Sequence, residues 1–267
     1  MRVAIIGSRG MLGYAVSRYF VRQSADLIPI SRQQFDIAAD PFEKLLPIIE
    51  GADAVINCAG VIKPRIAAMT VEDVLKVNAI FPRNLAKHCS KEQTPCIHVT
   101  TDCVYSGKKG AYSENDFFDA DDLYGMSKNA GESTECMVLR TSIIGEEAGQ
   151  SRSLLEWARS QKGKAVNGFT NHHWNGLTTV ALAEVVEKIL NEKLYRPGLF
   201  HIHSPNTVDK FQLLTQISDA YDLELQITPT AAGVACDRSL SSIHSLSSEV
   251  ATKTIAEQLA EMRGFFA

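Results

Sequence analysis

Residues 2–13, Arg2-Val-Ala-Ile-Ile6-Gly7-Ser-Arg9-Gly10-Met11-Leu12-Gly13, join a β-branched run to a glycine-punctuated turn. Beyond it Leu12, Val16, Tyr19 and Phe20 recur at helical spacing, so the unit reads as strand, glycine turn and helix. Glycines permit a sharp turn and let backbone N–H groups approach a pyrophosphate, which the positive end of the helix then stabilises. An ordinary βα turn uses the same residues. Its place in the first βα unit favours dinucleotide binding.

Moving outward, Leu27 to Ile30 is the next strand, and it runs into Ser31-Arg32. A dinucleotide site that prefers NAD places an acid after this strand for the ribose 2′-hydroxyl, whereas a basic group suits a 2′-phosphate. Arg32, with Arg9 in the glycine turn, therefore favours NADPH, with NADH as the alternative. Asp36, in Phe35-Asp36-Ile37, either accepts from an adenine amine or caps a turn. Pro41 to Ile49 has helical spacing interrupted by Pro47, which ends or kinks it. Ala54 to Asn57 is a third strand, followed by Cys58-Ala59-Gly60-Val61. These small residues leave room for a ligand crossing the sheet edge or simply make a tight turn. An amphipathic helix over Val71 to Cys89, bent at Pro82, covers the sheet. Its inward Asn78 needs partners, and it either braces the fourth strand or the lysine discussed next, or is a satisfied core amide.

The chemistry concentrates between Cys96 and Glu132. An apolar run ends in Thr100-Thr101, a polar loop follows, and Tyr124-Gly-Met-Ser-Lys128 begins a helix. Residues four apart share a helix face, so Lys128 lies beside Tyr124. An ammonium there is expected to lower the phenol pKa and make it a usable proton donor and acceptor. Met137 to Leu139 is a fifth strand. The alternation of strands and helices through about residue 145 requires crossover helices and a parallel sheet. The fold expected is α/β: a Rossmann-type doubly wound parallel sheet over residues 1–145, joined by a returning helix near 177–191. Residues 146–267 make a smaller, partly discontinuous C-terminal substrate-binding region.

In that second part, helices are predicted over Ser151 to Lys162, Thr178 to Leu190, Val208 to Tyr221 and Ser248 to Arg263, with a strand at Leu199 to His203. Asn167 to Gly176 reads as a polar and aromatic loop, with Asn171, His173 and Trp174 as candidates to bond or stack on a sugar or base; a capped surface loop is the alternative. His172 and His173 lack a third ligand at metal spacing, so no metal site is expected. His201 and His203 alternate onto one strand face, where pairing with a carboxylate is expected.

Composition bounds these readings. The chain has 267 residues, 45% of them hydrophobic and 22% charged, and a formal net charge of −4. It carries no basic footprint for nucleic acid. The six cysteines form neither CxxC pairs nor a disulfide scaffold. No apolar run reaches the ~18 residues of a membrane span, and the first residues lack signal-peptide architecture. A cytoplasmic protein with reduced thiols is expected, compatible with a homodimer.

Taken together, Gly7-x-x-Gly10-x-x-Gly13, Thr100-Thr101-Asp102-x-Val-Tyr-Ser-Gly107, Tyr124-Gly-x-Ser-Lys128-x-x-Gly-Glu132 and Leu-Arg140-Thr-Ser142 resemble an extended short-chain dehydrogenase/reductase, most closely the dTDP-4-dehydrorhamnose reductase group. The resemblance covers residues 1 to 145 well, with a weaker echo from Val166 to Thr179. It implies Thr101, Tyr124 and Lys128 as catalytic triad. Gly7, Arg9, Gly10, Met11 and Leu12 would cradle the pyrophosphate, Ser31 and Arg32 would meet the adenosine end, and Asp36 and Ile37 would border the adenine. Ala59, Gly60 and Val61 would line the cofactor, whose ribose Lys128 holds beside Tyr124. The implied reaction is reduction of a nucleotide-linked 4-keto sugar in surface polysaccharide synthesis, with Tyr124 protonating the nascent alkoxide and Thr101 bonding the keto oxygen. Asp102 and Cys103 would meet the substrate. Related 4,6-dehydratases carry Thr-Asp-Glu, so the thiol of Cys103 argues against water elimination. An epimerase with retained NAD and a non-catalytic nucleotide-binding regulatory subunit remain as alternatives.

Overall fold

The computed structural model describes residues 1–147 and 153–267. Six parallel strands form the main sheet: β1 (Arg2–Ile6), β2 (Asp26–Ile30), β3 (Ala54–Asn57), β4 (Cys96–Thr101), β5 (Met137–Thr141) and β6 (Gly198–His201), in the order β6-β5-β4-β3-β1-β2. In β1, Val3 and Ile5 face one side while Ala4 and Ile6 face the other, and both sides are buried. Such a strand has no polar alternation because helices cover both faces. On one side lie α1 (Met11–Arg22) and a later helix, Thr179–Asn191; Val16 and Phe20 pack there with Leu182 and Val186. Leu85, Ala86 and Cys89 cover the other face, with Phe35 and Leu45.

The covering helix over residues 71–91 differs from expectation. Val71–Leu75, Lys76–Ile80 and Phe81–Lys91 run on from one another as α2, with a wide π turn in the middle segment. Pro82 has no N–H to give the carbonyl of Asn78, so the turn before it widens instead of kinking at the proline. That carbonyl lies against Gly131, where any side chain would come within 2.0 Å of it. The Asn78 amide accepts from Val61 N–H at 2.8 Å and donates to the Val61 carbonyl and Ser127 Oγ, each at 3.1 Å. It therefore ties the loop after β3 to α3 (Leu123–Ala130), one residue from Lys128.

Other boundaries shift for local reasons. Residues 41–49 form only a 3-10 turn, Phe42–Lys44, and a single helical turn, Leu46–Ile49. The helix expected from Ser151 is observed as α4 (Leu154–Ser160), capped by Ser153; its first expected residues lie outside those described. The Thr179–Asn191 helix is α5. Helix α6 (Lys210–Ala220) starts after the capping box of Asp209 and Gln212. The last expected helix is two: Leu246–Val250, then α7 (Ile255–Phe266), restarted by the Thr254–Glu257 capping box.

Residues 167–176 are not a loop. Ala165–Phe169 pairs with Gln226–Thr230, and His172–Trp174 lies between Val208–Asp209 and Cys236–Asp237. Around these small sheets Leu155, Trp174, Leu213, Ile217, Leu259 and Met262 form a separate core. His201 also departs from expectation. Its ring meets carbonyls and a guanidinium, while the carboxylate of Glu114 accepts from its backbone N–H at 2.7 Å. His203 turns its Nδ1 to the Ser204 carbonyl.

Candidate active site

The strand order reverses at β1, which lies between β2 and β3. Ligands of open α/β sheets collect at this switch point, beyond the carboxyl ends of the strands. Two adjoining cavities occupy it, of about 620 Å³ and 380 Å³, sharing Arg9, Gly10, Cys58, Ala59, Gly60, Val61 and Arg65.

The larger cavity lies over the glycine turn. Gly7 adopts φ +80°, and a side chain at Gly13 would come within 2.1 Å of the Gly7 carbonyl, so only glycines allow α1 to start this close to β1. The start of α1 has no side-chain cap and no acid in its first turn, leaving its N–H groups to the cavity. Gly7, Arg9, Gly10, Ser31, Arg32, Asp36, Ile37, Ala59, Gly60 and Val61 all line it. Arg9 donates to Gln33 Oε1 at 2.9 Å, and Arg32 pairs with Asp36 at 2.9 Å. The second Asp36 oxygen accepts from Ala38 N–H at 3.1 Å, so this carboxylate both caps a turn and holds an arginine.

The smaller cavity holds Met11, Leu12, Thr101, Asp102, Cys103, Tyr124 and Lys128. Thr101 and Asp102 leave the carboxyl end of β4; Tyr124 and Lys128 come from α3, whose N-cap Asp122 accepts from Gly125 N–H at 2.7 Å. Thr101 Oγ1 accepts from Cys103 N–H and donates to Asp102 Oδ1, each at 3.1 Å, and stands beside the Tyr124 phenol. The expected tuning of the phenol by Lys128 is corrected. Lys128 Nζ is buried and donates to the Val99 carbonyl at 3.1 Å. Burial pushes its pKa down to about 8, against the opposing pull of Glu132 and Cys58. Burial instead raises the Tyr124 phenol, and Cys103, Asp102 and Asp122 act in the same sense, with only Thr101 opposing them. The phenol thus holds its proton firmly, as a donor does before reaction.

Asn171, His173 and Trp174 line neither cavity. Asn171 exchanges hydrogen bonds with the backbone of Ala232, His173 is exposed, and Trp174 is a core residue whose Nε1 donates to Ser142 Oγ at 2.8 Å. The sequence reading missed Ser142, Ile143, Arg65 and Glu147 as lining residues. It also missed Lys63, which sits 5.8 Å from the Tyr124 ring and pairs with Asp122. Of these only Ser142 stands in a motif, Leu-Arg140-Thr-Ser142, and so carried a signal.

Among curated proteins, the chain is similar to dTDP-4-dehydrorhamnose reductase of Mycobacterium tuberculosis, 32% identical over 154 residues, 54% of this chain and 50% of the relative. It thus spans about half the length of that relative. It is also similar to methionine adenosyltransferase 2 subunit beta of Danio rerio, 25% identical over 268 residues, 89% of this chain and 80% of the relative. A solved dTDP-4-dehydrorhamnose reductase from Bacillus anthracis, in complex with NADP, shares the fold with a TM-score of 0.81 at 18% identity, covering 98% of each chain. The family model described as RmlD substrate binding domain matches residues 1–263, and with nearly the whole chain matched, the protein belongs to that family.

Proposed function

We propose that this chain is an NADPH-dependent reductase of a nucleotide-linked 4-keto sugar, serving the synthesis of surface polysaccharide. The observation that carries the reading is the convergence of Thr101, Tyr124 and Lys128 on one cavity that opens into the glycine cradle. The cradle fits a dinucleotide: a side chain on Gly7 or Gly13 would meet backbone atoms, and the uncapped start of α1 faces the space. Gly7, Arg9, Gly10, Met11 and Leu12 would hold the pyrophosphate, and Ser31 and Arg32, with Arg9, the 2′-phosphate. Ala59, Gly60 and Val61 would line the cofactor along its length. When bound, NADPH supplies the hydride. Tyr124 donates its proton to the sugar oxygen, Lys128 holds the ribose, and Thr101 hydrogen-bonds the keto oxygen. Cys103 leaves the site without the extra acid of a dehydratase.

Similarity to the methionine adenosyltransferase subunit along most of the chain favours a second reading, a non-catalytic nucleotide-binding subunit. The gathering of Thr101, Tyr124 and Lys128 in one cavity weighs against it, because a binding module has no need of a proton donor there. The test is NADPH oxidation against a panel of dTDP-, UDP- and GDP-linked 4-keto sugars. Oxidation with one member supports the reductase, and none with any member overturns it. Tightly retained NAD⁺ after purification would point to an epimerase instead.

A further inference from the structure

Ser142 follows the carboxyl end of β5, one residue beyond Thr141, which is paired in register with Thr101 of β4. Adjacent strands lie about 4.8 Å apart, so the chain at Ser142 runs close beside Thr101. Ser142 is partly buried and lines the smaller cavity together with Thr101, Tyr124 and Lys128. Behind it, the Trp174 indole donates to Ser142 Oγ at 2.8 Å. An indole N–H is a donor only, so the serine oxygen is the acceptor and its own proton must go elsewhere. Among the described residues, no acceptor takes that proton.

The arrangement is rigid. The Ser142 carbonyl accepts from Leu177 N–H at 2.8 Å and from Thr141 Oγ1 at 3.3 Å. A side chain on Gly176 would come within 2.2 Å of that carbonyl and 2.6 Å of the indole ring. Trp174 itself packs in the small core with Leu213 and Leu259, and its strand pairs at Val208. The indole therefore cannot turn away. An oxygen fixed on one side by this donor presents its proton on the open side, which is the cavity.

We propose that Ser142 is a sugar-binding residue that sets specificity: its hydroxyl donates to the C3 oxygen of the sugar, and Trp174 is the positioning residue that keeps it a donor. The assignment rests on the reductase reading above. With Thr101 and Tyr124 on the C4 oxygen, the donor beside Thr101 meets the sugar next to the reacting carbon. Of the two carbons flanking C4 in a pyranose, C3 carries a free hydroxyl and C5 the ring oxygen. The substrate is thus a 4-keto sugar that retains its C3 oxygen. A site built to bond a hydroxyl rejects an analogue lacking it, because its own donor is then left unpaired. The competing acceptor in the same cavity is the carboxamide of the cofactor, and the two give different results below.

The experiment first follows NADPH oxidation with the panel sugar that is reduced. In Ser142→Ala its KM rises about three- to tenfold, the loss of one hydrogen bond between neutral groups, while kcat and NADPH affinity hold. The 3-deoxy form of the same sugar shows that rise in the wild type and no further rise in Ser142→Ala. Trp174→Phe raises KM in the same sense, and the double variant is no worse than Ser142→Ala, because the indole acts only through the serine. Independently of turnover, the chain has two tryptophans, so the Trp174 indole N–H resonance is identified by its loss in Trp174→Phe. With NADPH in place, dTDP-, UDP- or GDP-linked glucose, already reduced at C4, moves this resonance downfield. Ser142 then donates to the sugar and its oxygen becomes a better acceptor; in Ser142→Ala the sugar causes no such shift. An unchanged KM in Ser142→Ala overturns the assignment. A shift produced in full by NADPH alone does so too, and gives the hydroxyl to the carboxamide, as does a sugar nucleotide that binds by calorimetry without moving the resonance. If sugar nucleotides bind and no 4-keto sugar is reduced, the reductase reading falls alone and the resonance still decides whether Ser142 meets the sugar. If none binds, both fall.

Discussion

Arg140 meets Glu132 edge to edge, Nε to Oε1 at 3.1 Å and Nη2 to Oε2 at 2.5 Å, with both side chains largely withdrawn from solvent. The pair fastens β5 to the residue one helical turn beyond Lys128. The remaining Arg140 donor, Nη1, reaches the Tyr105 hydroxyl at 2.6 Å and His201 Nε2 at 3.1 Å. Removing one partner of a buried pair leaves the other charge uncompensated. Arg140→Met should therefore lose about 3–5 kcal/mol of unfolding free energy in urea titration. Stability within the scatter of the wild type would show that the pair is dispensable.

His201 is held neutral by this arrangement. Arg140 donates to its Nε2, so that nitrogen must be the acceptor, and Nδ1–H donates toward the carbonyls of Ser241 at 2.8 Å and Tyr112 at 3.0 Å. Burial first, and then Arg140, push its pKa down to about 4, against Glu114 and the carbonyl bonds. Between about pH 4 and the unfolded value near 6.5 the unfolded chain binds the extra proton. Stability is thus present above that window and lost as pH falls through it. His201→Gln should show a shallower decline of unfolding free energy across these pH values. An identical slope would remove His201 as its source.

Tyr124→Phe keeps the ring and loses only the hydroxyl. Turnover is expected to fall at least about 100-fold, while NADPH affinity measured by fluorescence titration stays near that of the wild type. Near-normal turnover would take Tyr124 out of the mechanism.

Arg32 stands exposed at the rim of the larger cavity, already aimed by Asp36. Losing a charge-assisted bond to a phosphate costs about 1.5–3 kcal/mol. Arg32→Ala should therefore weaken NADPH by roughly tenfold or more and leave NADH little changed. Equal losses for the two cofactors would refute the 2′-phosphate assignment.

What was legible in the sequence was short in range. The glycine turn lies within one βα unit, and the four-residue step from Tyr124 to Lys128 fixes a shared helix face. Spacing could not say which carbonyl the Lys128 ammonium would meet, because Val99 belongs to another element. Residues 172–174 looked like a loop because their pairing partners, 208–209 and 236–237, stand far along the chain. Their pairing sends Trp174 into a core and leaves His173 outside. The Arg140–Tyr105–His201 cluster joins residues from β5, the segment after β4, and β6, and no local pattern announces it.

The main sheet takes its edge strand, β6, and the helix α5 that covers one face from late in the chain. A polypeptide emerging from the ribosome can therefore pair β1 to β5 while Val3, Ile5 and Leu139 still lack the cover of Leu182 and Val186. Such an intermediate shows a parallel sheet with one apolar face covered only in part, by α1, the kind of surface that chaperones hold and that aggregates when crowded. Synthesis past Ala251, the last residue of that core, ends the exposure, so the late arrival of these elements sets how long the nascent protein needs protection.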